Sequence, residues 1–341
     1  MSAPTLASGA APPPVSRPRY ATDYRALILG IVAIIVVAAL PALPFVNNYL
    51  IAVTVRALIF IALGQAWNIV AGIGGLLSLG HGVFLGLGCY ATGILFNEYG
   101  LPPWLGVWVG ALLSLLVALM MGTMTLRMRG VFFALATIAV SLALDQLARH
   151  YVDLTGGDNG LALRFLGNSL WFMQSRTPAP FLYAGLVFVI VYFWITKWLL
   201  ASRFGLEMRA VRDDEVAAAA AGVPVFRTKL LGLLLSAVMT SVAGTLYMQS
   251  YQAIDPETAF GLSQAIQLQL PALIGGLGTA WGPVVGGAVM IFLSETTNFG
   301  STKLGIAGVD ILVYGLLLLA VVMYAPKGIM GLFADRLRGR R

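Results

Sequence analysis

The sequence predicts an all-α fold, a polytopic transmembrane helical bundle of about ten helices. Composition, the length of the apolar runs and the placing of the basic residues together predict it. Of 341 residues, 59% are hydrophobic and only 10% charged, and the mean hydropathy is +0.88. An average soluble domain carries charge on roughly a quarter of its residues. Apolar runs of about twenty residues match the thickness of bilayer hydrocarbon when wound as helices. The sequence pI near 9.7 then reads as positive charge on the cytoplasmic loops, not as a nucleic-acid footprint.

Residues 1–25 are rich in Ala, Pro and Ser and read as a disordered cytoplasmic tail. Arg17, Arg19 and Arg25 then precede an apolar run beginning at Ala26. That run is longer than a signal-peptide core, and no soluble domain follows it, so it reads as a retained first helix. A transmembrane domain over 26–325 follows, with candidate spans at 26–46, 49–70, 82–98, 104–126, 131–148, 181–200, 230–250, 263–277, 283–299 and 310–325. A basic cytoplasmic tail, 326–341, closes the chain.

Charge fixes the parity. With the amino terminus cytoplasmic, the inner segments collect Arg127, Arg129, Lys197, Arg203, Arg209, Arg212, Arg227 and Lys229, besides the basic residues of both tails. The outer segments hold only Arg149, Arg164, Arg176 and Lys303, a strong positive-inside bias. Both termini are therefore expected in the cytoplasm, in a multi-pass membrane protein. Adding or removing one central crossing would spread the basic segments over both faces.

Two aqueous segments are long enough to hold structure. The outer loop, 149–180, contains TGGDNG, whose Gly156, Gly157, Asp158 and Asn159 favour tight turns. The aromatic stretch LWFM follows, and the loop reads either as an interfacial connector or as a docking surface. The inner loop, 201–229, holds SRFGLEMRAVRDDEVAAAAAGVPVFRTK with charges wrapped around five alanines. Leu206, Met208 and Val211 make an incomplete apolar face on an approach helix. Asp213, Asp214 and Glu215 supply capping oxygens to a second helix start. Gly222 is placed to end that helix in a left-handed conformation, and Pro224 prevents its resumption. The product is a short, slim cytoplasmic helix with a sharp stop, suited to a groove on a partner protein.

Several chemistries are excluded. Cys89 is the single cysteine, and His81 and His150 form no HExxH pattern, so no metal site is expected. Asp213 and Asp214 do not begin a DDxxD pattern, because Ala217 stands where the later acid belongs. No GxxxxGK[ST] is present, so ATP phosphates are not cradled in the usual way, and no cofactor is expected. Asp145, Glu295 and Asp310 lie near the ends of their spans rather than at mid-membrane depth, which argues against ion coupling. Arg56 is a charge inside a span, either snorkelling outward or touching solute.

Gly-rich stretches recur at Gly74, Gly75 and Gly82 and at Gly275, Gly276, Gly278 and Gly282. They either frame a translocation path, where non-helical backbone survives at depth, or pack helices closely. Gln65, Asn68 and Gln267 offer neutral hydrogen bonds to a solute or to a neighbouring helix. Gly75, Gly82 and Gly86 repeat as Gly275, Gly282 and Gly286 at an offset of 200, a faint internal echo of the repeats found in transporters.

The inner loop with its continuation LLGLLLSAVMTSVAGTLY resembles the cytoplasmic loop of branched-chain amino acid ABC transporter permeases, in their LivM-like branch. WNIVAGIGGLLSLGHGVFLGLGCYATGIL, MRGVFFALATIAV, TGGDNGL, LPALIGGLGTAWGPVVGGAV and YAPKGIMGLF resemble further family segments in the expected order. The resemblance covers most of the chain from about residue 60 onward. It implies a permease subunit of an ABC importer, a transport subunit and not an enzyme. Its implied partners are two ATPase subunits, a second and non-identical permease, and an extracytoplasmic solute-binding protein. Carried over by position, Glu215, Ala218 and Gly222 match the loop that docks on the ATPase, with Arg209, Arg212, Asp214 and Ala219 around them. Val216 replaces the usual first alanine of that loop, and the spacing from Glu215 to Gly222 is one residue longer. The implied solute is a branched-chain or other hydrophobic amino acid, or alternatively urea or another small solute.

Overall fold

In a computed structural model, residues 24–44, 46–128, 130–304, 315–316 and 328–331 are described. Helices occupy the candidate spans in order: α1 (Tyr24–Ala39), α2 (Asn48–Asn68), α3 (Gly82–Tyr99), α4 (Pro103–Thr125) and α5 (Val131–His150). A one-turn α6 (Val152–Thr155) leads into the outer loop, and α7 (Ala179–Ala201) crosses back. The inner loop forms α8 (Arg203–Asp213) and α9 (Glu215–Ala220). Then come α10 (Val225–Tyr251), a short α11 (Pro256–Phe260), α12 (Leu262–Gly275) and α13 (Gly282–Leu304). Among the described residues five stretches are long and apolar enough to cross a membrane: Asn48–Ile73, Pro103–Thr125, Val131–His150, Ala179–Ala201 and Val225–Tyr251. The expected span 310–325 and both terminal tails lie largely outside the described residues.

Side-chain contacts fix which loops share an end of the bundle. At one end, called inner, the α2 terminus at Gly72 meets the α12–α13 turn at Gly278 and the α8 side chain of Arg212. At the other, outer end, β1 (Leu161–Ala162) pairs antiparallel with β2 (Ala253–Ile254). There Arg149 at the end of α5 binds Asp145, Asp158 and Glu257. Among the described residues the inner loop and the α12–α13 turn thus share one end of the bundle, and the outer loop and the turn after α10 the other.

Small residues bring the helices together, as expected where lipid supplies no hydrophobic drive for helix association. A methyl group at Gly88 would strike the Ser241 carbonyl, and one at Gly286 the Pro271 carbonyl. Thr92 on α3 and Thr245 on α10 share a hydroxyl hydrogen bond of 2.9 Å. Around this polar-stitched core the outward faces of α4 and α7 are apolar, with Trp108, Leu112, Val187 and Trp198 exposed as lipid-facing groups would be.

Two helices are broken at depth. The last turn of α2 widens into a π turn, Ile69–Ile73, and residues 75–80 are non-helical before α3 begins. On the outer side α11 dips into the bundle and is split from α12 at Gly261. Ser141 on α5 donates to the Phe260 carbonyl at 2.8 Å, satisfying a backbone group that the break frees.

Candidate functional site

The inner loop builds a two-helix lever. Ser202 caps α8, its Oγ accepting from Gly205 N at 3.1 Å. Met208 and Val211 are each 2% exposed and turn toward the bundle. Leu206 is exposed, so the apolar face of α8 is Gly205, Met208 and Val211, a correction to the face expected from sequence. Arg209 donates to the Gly205 and Leu200 carbonyls at 3.2 and 3.0 Å, fastening α8 to the end of α7. Arg212 donates from Nη1 to the Gly72 carbonyl at 2.9 Å and from Nη2 to Asp213 at 3.0 Å. Gly75, at φ +71°, lies under the Arg212 side chain with no room for a methyl.

Of the three acids expected to cap α9, Asp214 alone does so; Asp213 closes α8 instead. Asp214 Oδ1 accepts from Val216 N at 2.8 Å and Ala217 N at 3.0 Å. Those bonds, from Ala217 and then Val216, hold its carboxyl below the usual carboxylate range. Glu215 instead turns back to α10, where Lys229 Nζ donates to it. Gly222 stands at φ +86°. Its N–H reaches Ala219 O, and Val223 N–H reaches Ala218 O, both at 3.0 Å. This is the paired bonding of a left-handed helix stop. Ala218 packs inward, while Val216, Ala217, Ala219 and Ala220 are exposed on a narrow rod.

The residues read as path-lining are placed as follows. Gln65 is fully buried and accepts from Thr196 Oγ1 at 3.3 Å. Asn68 clasps the α12–α13 turn, donating to Thr279 O at 2.9 Å and accepting from Gly278 N at 2.8 Å. Gly74 meets Met208, and Gly82 faces the Ala259 carbonyl. Gly275 and Gly276 pack against Gly282. Gln267 is half-buried and leans on Ser263 at 3.5 Å, apart from Gln65 and Asn68. In this conformation all of them except Gln267, whose bond stays within α12, join separate segments of the chain. One Gly-rich stretch runs from the inner end into the bundle as an open break, and the other forms a tight hairpin at the inner end. At the outer end Asp158 binds Arg149, and Gly156 and Gly157 take left-handed turns beneath the exposed Asn159.

A network missed from sequence holds the 75–81 break. His81 is fully buried, with Nδ1 2.9 Å from Ser78 Oγ and Nε2 2.8 Å from Ser236 Oγ. Ser236 Oγ spends its proton on the Ala66 carbonyl at 2.7 Å, which leaves it to accept from His81 Nε2–H. Nδ1 then accepts from Ser78. The Ser78 carbonyl receives Trp67 Nε1 at 2.8 Å and Gln269 Nε2 at 3.3 Å. Three helices, α2, α10 and α12, therefore meet at one non-helical segment. The signal in sequence was SLGH, polar groups inside a Gly-rich apolar run.

Comparison with known proteins decides among readings of this geometry. The family of the branched-chain amino acid transport system permease component matches residues 49–325. The chain belongs to that family. The LivM permease proteins of the high-affinity branched-chain amino acid transport systems of Salmonella typhimurium and Escherichia coli are each 26% identical to it over 334 residues. Those matches take in 91% of this permease and 76% of each relative. LivH of Salmonella typhimurium is 27% identical over 80% of this chain and 90% of its own. No solved structure matches. The permease is accordingly a multi-pass membrane protein and a transport subunit with LivM-like character. The inner loop, 201–229, falls wholly within the matched region.

Proposed function

We propose that this permease forms part of the membrane path of an ABC importer for branched-chain or other hydrophobic amino acids in a bacterial inner membrane. A second, non-identical permease completes the path, two ATPase subunits dock on α9 from the cytoplasm, and a solute-binding protein delivers the amino acid at the outer face. ATP is bound and hydrolysed by those partners, with no cofactor held by this chain. In this reading both termini lie in the cytoplasm.

The observation that carries the reading is the Arg212–Gly72 hydrogen bond. It joins α8, the stem of the exposed α9, to the carbonyl at which α2 loses its regular winding. Motion delivered to α9 is passed through a short, two-helix stem to the 75–81 break, and from there to Ser78 and His81. Coupling of this kind biases two packings of the bundle by engaging one of them. Asp145 is engaged by Arg149 at 2.8 Å, which supports a reading without ion coupling at this acid.

Ala219→Trp tests the reading. The side chain is exposed and makes no inward contact, unlike Ala218, which is 4% exposed. The expected result is loss of copurified ATPase and of ATP-driven amino acid uptake, with the permease still folded. Normal levels of both, or uptake driven by a proton or sodium gradient without ATPase, contradict it.

A further inference from the structure

The outer third of the bundle holds an opposite-charge pair that the coupling route does not use. Arg56 on α2 donates from Nη1 to Glu295 Oε1 on α13 at 3.3 Å, a single contact. The side chains are 40% and 18% exposed. Tyr49 Oη donates to the other Glu295 oxygen. Tyr251 on α10 stacks on Tyr247 with ring centroids 4.3 Å apart. Tyr49, Ala52 and Arg56 follow helical spacing along one face of α2. Tyr49 and Ala52 line a cavity of about 560 Å³, with Arg176, Ser250 and Gln252 on its other walls. That volume lies in the usual range for small-molecule sites. Ser250 Oγ and both polar atoms of its neighbour Gln249 are buried without a partner.

We propose that Arg56 and Glu295 form an exchange site for a zwitterion. An amino acid entering from the outer cavity sets its carboxylate on Arg56 and its ammonium on Glu295 and Tyr49, opening the ion pair between α2 and α13. The proposal rests on the importer reading above and names the ligand chemistry of its outer entrance. A single-contact pair leaves guanidinium N–H groups and carboxylate lone pairs for a bidentate newcomer. A zwitterion replaces both partners at once, so neither partly buried charge is left uncompensated. An anion or a cation alone strands one of them, and an uncharged solute has nothing to exchange. Phe165 and Phe181 in the cavity lining give the amino acid side chain an apolar wall.

The test uses the complete transporter, with its ATPases and binding protein, in liposomes. The paired substitution Arg56→Gln with Glu295→Gln removes both charges and leaves no lone one. Leucine uptake is expected to fall about tenfold or more through a raised KM, while ATP hydrolysis stimulated by the binding protein persists. Uptake within about twofold of the unsubstituted protein, with ATP drive intact, overturns the zwitterion site and leaves the importer reading standing. Uptake without ATPase overturns the importer reading instead. If the double variant also loses stimulated hydrolysis, the unsubstituted permease–ATPase complex decides the matter. Its thermal unfolding is measured with leucine, with leucinamide and with 4-methylpentanoate. A shift with leucine alone supports the site, and equal shifts or none overturn it.

Discussion

Lys229 and Glu215 form an ion pair whose two members are unequally buried, at 4% and 32% side-chain exposure. The inequality gives the pair a directional chemistry. Replacing Lys229 with Met leaves a carboxylate that can swing to water. Replacing Glu215 with Gln strands an ammonium inside the bundle, where an uncompensated charge costs about 3–5 kcal/mol. Glu215→Gln should therefore lower the thermal stability of the purified permease more than Lys229→Met, and a reversed order would contradict this view of the pair. Glu215 was legible as a site residue from its place before the alanines, but its partner was not. Fourteen residues and the break at Gly222 separate the two. Asp214 and Gly222 were legible because a cap and a left-handed stop are local bargains between a side chain and its own backbone.

At the scale of elements, the working unit is α8 with α9, keyed to a helix that ends early. The Gly-rich stretch announced a weak point near residue 74, and the break is there. Sequence could not show what grips it, because Arg212 and Gly72 lie 140 positions apart and Ser236 and His81 lie 155 apart. Such contacts belong to tertiary packing, and periodicity carries no trace of them. The same holds for Arg56, legible as an odd charge in a span while its partner Glu295 was 239 positions away. The grip at Gly72 has a measurable consequence. Arg212→Gln retains α9 and its exposed face but removes the charge-assisted hydrogen bond. Uptake per ATP hydrolysed should fall about tenfold, the factor set by a bond of about 1.5 kcal/mol, with ATPase still copurifying. An unchanged ratio of uptake to hydrolysis would show that force reaches the bundle by another route.

At the scale of the molecule, a polytopic helical bundle was legible because membrane spans have a length fixed by the bilayer. The helices of the described residues follow the expected spans, with inner and outer loops sorted to opposite ends. The order of helix packing was not legible, since glycine and small polar residues mark close contact without naming the partner. The account as a whole depends on α9 facing the compartment that holds ATP. Cys89 is buried, so Ala219→Cys carries one exposed thiol, on the rod itself. Membrane-impermeant maleimide should label it in inverted vesicles and not in right-side-out ones, and bound ATPase should protect it. Labelling from the outer face, or labelling that the ATPase leaves unaltered, would contradict the account.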